Sequence, residues 1–393
     1  MSEQPPDVPS QQPEGEKPQP AQSGSQPTQP ALEMGAAWLR GDGESHDVVM
    51  SSRVRLARNL AGRPFATKAT RRDRVETMQV CRDCVMNAAL AEKMIWVDIH
   101  GSPALERQLL VERHLISKNH GKGRGANPNE DPRGVAISVP DERLAIMVNE
   151  EDHLRLQAIR SGLALGDAWN DIDAIDDKVE AKLAYAFSSK FGYLTACPTN
   201  VGTGLRMSVM LHLPGLRLTG EIEKVKRAAT DMALAVRGFY GEGSEPVGDL
   251  FQISNQATLG KSEAQVLHEL ERQIVPRVVE YERLSRRELL AKRRVGLDDQ
   301  IWRAWGLLVC ARLLTTEEAM GALSLVRLGV SMGLLRSAGP GAEGPTMRVI
   351  NQLMLLVQPA HLQRAVGREL DQEQRRAARA TLVRTKLTRP RIA

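Results

Sequence analysis

The sequence predicts an α+β fold: a largely antiparallel sheet flanked by helices, followed by an all-helical region. Three observations carry this. GVAISV (134–139) and RLAIMVN (143–149) are short apolar runs rich in β-branched residues, joined by the turn residues VPDE. Such hairpin-like pairs alternate with long helical patterns, as in EIEKVKRAATDMALAV (221–236). After about residue 262 the strand signals stop and only helical periodicity remains. The chain therefore divides into a tail (1–33), a mixed domain (34–262) and a helical C-terminal domain (263–393).

In order along the chain, residues 1–30 are rich in Pro, Gln, Ser, Gly and Glu. They offer too little apolar surface to offset chain entropy, so order is expected to begin near Trp38. VVMSSRVRLA (48–57) reads as a strand and RRDRVETMQVCRDCVMNAALAEKM (71–94) as a helix. KNHGKGRGANPNEDPRG (118–134) is dense in Gly, Asn and Pro and reads as a loop. EEDHLRLQAIR (150–160) reads as a helix start, because acidic residues favour the first turn. MSVMLHL (207–213) is a strand, and EIEKVKRAATDMALAV a helix opened by acids. In the C-terminal part Pro276 is expected to kink or restart a helix. No internal repeat is present.

Composition narrows the function classes. The 393 residues carry a net charge of +5, with 42% hydrophobic and 26% charged residues. That is ordinary for a globular protein, and the basic excess is too small to signal nucleic-acid binding. The N-terminus lacks a cationic start followed by an apolar run, and no stretch approaches a membrane span. With four cysteines, a reducing, cytoplasmic setting is expected. Cys81 and Cys84 form a CxxC inside a helical pattern, which supplies too few ligands for zinc and reads as ordinary helix.

Four stretches carry potential chemistry. In SSRVR (51–55), Arg53 and Arg55 share a strand face, so their charges repel unless an anion lies between them. In NEEDHLR (149–155), Glu151 and Arg155 are four apart; on a helix they form an ordinary ion pair or face a common cleft. CPTNVGTGLR (197–206) is poor in bulky apolar groups and ends on Arg206. RGFYGEGSE (237–245) places Arg237 at the base of a glycine-rich loop bearing Glu242, which is either a closing lid or a plain connection. A set of guanidinium forks suits a polyphosphate. No GxxxxGK[ST] loop is present, so a nucleotide site must be built from side-chain arginines.

Taken together, these four stretches resemble the phosphagen, or guanidino, kinases. WLRGDGESHDVVMSSRVRLARNL, LLVERHLIS, LHLPGL, YGEGSEPVGDLFQISNQATLGKSE and VRLGVSMGLL are similar to the branch that phosphorylates arginine in proteins. The resemblance covers about residues 36–390. It implies transfer of the ATP γ-phosphoryl group to guanidinium nitrogens, with Mg²⁺. It implies ATP binding by Ser51, Ser52, Arg53, Val54 and Arg55, by His114 and Arg155, and by Arg206, Met207, Ser208, Val209 and Met210. Arg237, Gly238, Phe239, Tyr240, Gly241 and Glu242 complete that set. Glu151 and Glu242 would hold the acceptor guanidinium beside Cys197. No helical domain precedes the SSRVR strand, which would leave the acceptor side open to a protein. The resemblance further implies a homodimer, a Clp-type protease or chaperone, a stress repressor and an activator protein as partners, and no membrane. RRAARA (375–380) stands where that branch carries a phosphoarginine-binding motif; Arg375, Arg379 and Ala380 match, but Arg376 replaces an aspartate. The alternatives are a small-molecule guanidino kinase and a non-catalytic phosphoarginine-binding adaptor.

Overall fold

The computed structural model describes residues 36–123, 131–238, 247–335 and 345–388. The expected tail, the segment Phe239–Glu242 and the last residues of the basic C-terminus lie outside them.

Ten strands are named in chain order among the described residues. They are β1 (Val49–Arg58), β2 (Met94–Asp98), β3 (Gly134–Ser138), β4 (Leu144–Val148), β5 (Leu154–Ser161), β6 (Phe187–Ser188), β7 (Gly192–Tyr193), β8 (Leu205–His212), β9 (Leu234–Arg237) and β10 (Leu250–Asn255). β6 and β7 form a small separate hairpin. The other eight make one sheet in the order β2-β3-β4-β5-β1-β8-β10-β9, each neighbour antiparallel. β1 lies inside it, hydrogen-bonded to β5 and β8.

Side chains alternate across a strand, and this sheet uses its two faces differently. Val54 and Leu56 of β1, Leu156 of β5, and Met207 and Val209 of β8 form one apolar core. Helices α1 (Arg71–Asn87) and α4 (Leu165–Glu180) cover it through Cys81, Cys84, Val85, Leu165, Ile172 and Val179. Thr70 and Asp73 close α1 with a reciprocal capping box. Ser52, on the covered face, donates to the Gly162 carbonyl at 2.8 Å and accepts the Ala164 N–H at 3.0 Å, fastening the start of α4 to the sheet.

On the opposite face, Ile159 and Met210 join a second core with the C-terminal helices. These are α8 (Val275–Cys310), α9 (Thr316–Ser331), α10 (Met347–Leu356) and α12 (Gln372–Thr388). The smaller helices are α2 (Ala104–Glu112), α3 (Lys118–Lys122), α5 (Pro214–Thr219), α6 (Ile222–Asp231), α7 (Glu263–His268) and α11 (Pro359–Val366). α8 follows a π-turn over Glu269–Ile274, accommodates Pro276 in its first turn, and breaks at Arg293, where φ is −139°. Buried Arg327 of α9 ties the helices to the sheet. It donates to the carbonyls of His46 (2.8 Å) and Asp47 (3.0 Å), to Asn351 Oδ1 (3.0 Å) and to His212 Nδ1 (2.8 Å). The described residues form one compact unit.

Four local expectations are corrected. The helix read over 71–94 ends at Asn87, and Met94 opens strand β2. Residues 154–161 are strand β5, not helix: Leu154, Leu156 and Ala158 alternate with Arg155 and Gln157, and the preceding acids sit in a turn. The helix expected over 221–236 ends at Asp231; Ala233 takes φ +55°, and Leu234–Arg237 becomes strand β9. The loop expected over 118–134 begins as helix α3, capped by the Ser117 hydroxyl, which accepts the His120 N–H. Its residues 124–130 are outside the described ones.

Candidate active site

The sheet register puts all five arginines on one face. Arg55 stands opposite Arg206 across β1 and β8, Arg53 lies opposite Ser208, and Arg155 pairs with Ala57. Arg237 on β9 pairs with Gln252 on β10, two strands away from β1. Period-two alternation makes these positions face the same side. They line a cavity of about 320 Å³ together with His114, Glu150, Glu151, Cys197 and Gln252.

Crowded cations in a half-buried cleft oppose one another's charge. Burial, reinforced by Arg206, Arg155 and Arg237, pushes the Arg53 guanidinium pKa down to about 10. Arg55 is lowered well below its ordinary value by burial and then by Arg53, Arg155, Arg206 and Arg237. Burial, with Arg53 and Arg55 nearby, also pushes His114 down to about 3, so its imidazole is neutral. Arg155 differs. Burial works against its charge, but Glu150, Asp152 and Glu151 outweigh that and raise its pKa. Such a cleft is relieved by a polyanion.

The NEEDHLR turn divides its work among its residues. Glu150 is buried, contacts Arg155 at 2.7 Å and accepts the Ser117 hydroxyl at 2.6 Å and the Glu151 N–H at 2.7 Å. Glu151 is more exposed and reaches Arg155 at 3.1 Å. Asp152 accepts from Asn59 Nδ2 and from the Ala196 N–H, both at 2.7 Å, which fixes the residue before Cys197 against this turn. His153 accepts the Leu60 N–H at Nδ1 (3.0 Å) and lies 3.1 Å from the Pro64 carbonyl at Nε2. Asp152 and His153 are therefore the fasteners that hold Glu151 and Cys197 in one cleft.

The CPTNVGTGLR loop leaves Cys197 at the cap of a short 3-10 turn, its sulfur 3.0 Å from the Thr199 hydroxyl. The glycines follow from close backbone approach. Gly202 has φ +114°, and a Cβ there would lie 2.6 Å from the Thr258 carbonyl oxygen. At Gly204, with φ +65°, a Cβ would meet the Ala57 carbonyl at 2.6 Å. Arg58 supports the loop from inside: it pairs with Asp176 at 2.6 Å and stacks 3.6 Å from the Tyr193 ring.

Several residues of the expected set carry their side chains elsewhere. Ser52, Val54, Met207 and Val209 face the helix-covered core, because they occupy the other parity of their strands. Met210 joins the second core. Ser51 and Ser208 are buried on the arginine face, and the Ser208 hydroxyl lies 3.4 Å from the Arg53 carbonyl. Arg237 and Gly238 are the last described residues before the segment holding Phe239, Tyr240, Gly241 and Glu242. Cys81 and Cys84 are buried on α1, and burial pushes the Cys81 thiol up to about 12. In RRAARA, Arg379 is buried and donates to the carbonyls of Val357 and Leu314, both at 2.8 Å, while Arg375 donates to Leu370 O at 2.7 Å. Arg376 is exposed and Ala380 buried. Glu150 was not singled out from sequence; its only signal was an acid beside Glu151.

Residues 77–285 match the family model described as ATP:guanido phosphotransferase, C-terminal catalytic domain, and residues 294–392 match the protein-arginine kinase McsB C-terminal domain. The chain is 43% identical over 351 residues to a protein-arginine kinase of Halothermothrix orenii, covering 89% of this chain and 96% of that one. The chain belongs to the protein-arginine kinase family. A protein-arginine kinase of Symbiobacterium thermophilum is 44% identical, with 89% and 96% covered. Among solved structures, this kinase resembles a duplicated taurocyamine kinase of Schistosoma mansoni with bound transition-state-analogue components. The TM-score is 0.53 at 27% identity, over 60% of this chain and 33% of that one. A lombricine kinase gives 0.52 at 26%, over 62% and 68%. The kinase is a phosphotransferase with the guanidino-kinase sheet, and no described helix is long and apolar enough to cross a membrane.

Proposed function

We propose that this kinase transfers the γ-phosphoryl group of ATP to the guanidinium group of arginine side chains in proteins. The convergence of five arginines with Glu151 and Cys197 in one cleft carries this reading. Arg53, Arg55, Arg155, Arg206 and Arg237 bind the phosphate chain, and neutral His114 lies beside the nucleotide. A guanidinium is a poor nucleophile because its lone pairs are delocalised and its pKa exceeds about 12. Glu151 orients one nitrogen towards the γ-phosphorus and accepts its proton, with Glu242 as the second carboxylate. Phosphoryl transfer spreads charge over peripheral oxygens, which fixed guanidinium forks stabilise without reorganising. Cys197 lies against the acceptor.

Mg²⁺ fits as an ion carried by the phosphates. Among the described residues no group of three or more His, Cys, Asp or Glu could hold a metal, and Mg²⁺ is commonly held by substrate phosphates and water. Bound there, it neutralises phosphate charge.

Incubation with Mg-ATP and a denatured protein, beside free arginine, tests the reading. An acid-labile P–N adduct on the protein supports it. Adduct on free arginine alone supports the small-molecule alternative, and no adduct with either supports a binding protein.

The wider proposals are a cytoplasmic setting, a helical domain over 263–393, a homodimer, and tagging of substrates for a Clp-type protease, with a stress repressor and an activator protein as further partners. Exposed Val295 and Trp302, two turns apart on α8, support self-association through the helices.

A further inference from the structure

A second cavity of about 180 Å³ lies outside the nucleotide cleft. Four separate parts of the chain meet there, one of them the β3–β4 turn with Pro140 and Asp141. The segment leading into β1 supplies Arg40, the end of α2 supplies Arg113, and α10 supplies Arg348 and Gln352. Ala37 anchors the first part by donating to the Asp141 carbonyl at 3.0 Å.

The charges in this cavity are unevenly balanced. Arg113 is buried and doubly bound to Glu142, at 2.5 and 2.9 Å. Asp141 lies 3.5 Å from Arg143 and accepts the Ser138 hydroxyl at 3.0 Å. Arg40 and Arg348 are exposed, and neither side chain has an ion pair or hydrogen bond among the described residues. The walls between them are apolar, from Ala36, Leu39, Pro140 and Leu355. Two guanidinium forks at one small cavity are suited to a doubly charged oxyanion, since each fork binds oxygens in pairs. Drug-sized pockets begin near about 300 Å³, so the space suits a compact anion rather than a nucleotide.

We propose that Arg40, Arg348 and Gln352 form a binding site for a compact oxyanion, a phosphate or carboxylate on a small body. The site is wired to the nucleotide cleft by position. Arg113 immediately precedes His114, and Trp38, two residues before Arg40, stands edge-on to the His114 ring at 5.3 Å. An anion that orders Arg40 therefore acts on the segment that packs against the nucleotide-side histidine. The site differs from RRAARA, whose Arg375 and Arg379 are spent on backbone carbonyls.

The test is calorimetric titration of the full chain with inorganic phosphate and, separately, citrate, after saturating the nucleotide cleft with a non-hydrolysable ATP analogue. Expected is one further site per chain for at least one anion, weakened at least tenfold in the double variant Arg40→Ala/Arg348→Ala. The anion that binds names the group recognised. Both side chains are exposed, so the variant should keep its fold and its basal phosphotransfer. No further binding of either anion at tens of millimolar, or binding that the double variant leaves intact, would overturn the proposal.

Discussion

Glu150 and Arg155 form a 2.7 Å contact in which both side chains are nearly buried, while neighbouring Glu151 stays accessible at 3.1 Å from the same guanidinium. One carboxylate therefore holds the Arg155 fork that is proposed to bind phosphate, and the other stays accessible from the cleft. Glu150→Gln removes the counter-charge of a buried cation. It should raise the KM for ATP at least tenfold, and Glu150→Asp should restore part of it. Steady-state kinetics with ATP varied checks this; an unchanged KM for ATP would remove Glu150 from the positioning of Arg155.

Glu151→Gln should behave differently. It keeps the shape but loses the proposed base, so nucleotide affinity should hold while transfer falls by roughly 10²–10³, equivalent to about 3–4 kcal/mol. Nucleotide binding by calorimetry and single-turnover transfer separate the two effects. Near wild-type transfer would exclude Glu151 from the chemistry.

His114 gives a pH prediction. Its folded pKa is lowered from 6.5 to about 3, by burial first and then by Arg53 and Arg55. Between those values the unfolded chain binds a proton that the folded chain does not. Its contribution to stability is present above pH 6.5 and lost as pH falls towards 3. His114→Gln should therefore lose stability less steeply on acidification than the parent. Denaturant midpoints measured across this range check it, and parallel curves would refute it.

Asp176 balances buried Arg58 beneath the Cys197 loop, and the Tyr185 hydroxyl donates to the same carboxylate at 2.9 Å. Asp176→Ala leaves that guanidinium uncompensated and should cost roughly 3–5 kcal/mol. A fall in denaturant midpoint at constant m-value is the expected signature.

Arg379→Ala breaks charged hydrogen bonds to two buried carbonyls, Val357 and Leu314, and should destabilise the chain by about 2–4 kcal/mol. Arg376→Ala, at an exposed position, should leave stability within about 0.5 kcal/mol. Thermal unfolding of both variants discriminates a structural Arg379 from one held ready for a ligand.

The sequence by itself determined the fold class, the hairpin at 134–148, the β1 strand and the residue types of the cleft. These are local properties: periodicity, turn residues and short motifs whose spacing survives without coordinates. It misassigned residues 154–161 because Glu150, Glu151 and Asp152 imitate a helix start, whereas their carboxylates serve Arg155 and Asp152's partners Asn59 and Ala196 across the chain. Only the tertiary structure decided which strand parity faces the cleft. Arg53 and Arg55 face it, while Ser52 and Val54 face the core, because sheet register and helix cover fix the sides together. Only it revealed that Glu150 is the buried anchor, and that Arg379 serves backbone carbonyls. Burial and long-range pairing set those roles, and neither is written in any stretch of neighbouring residues.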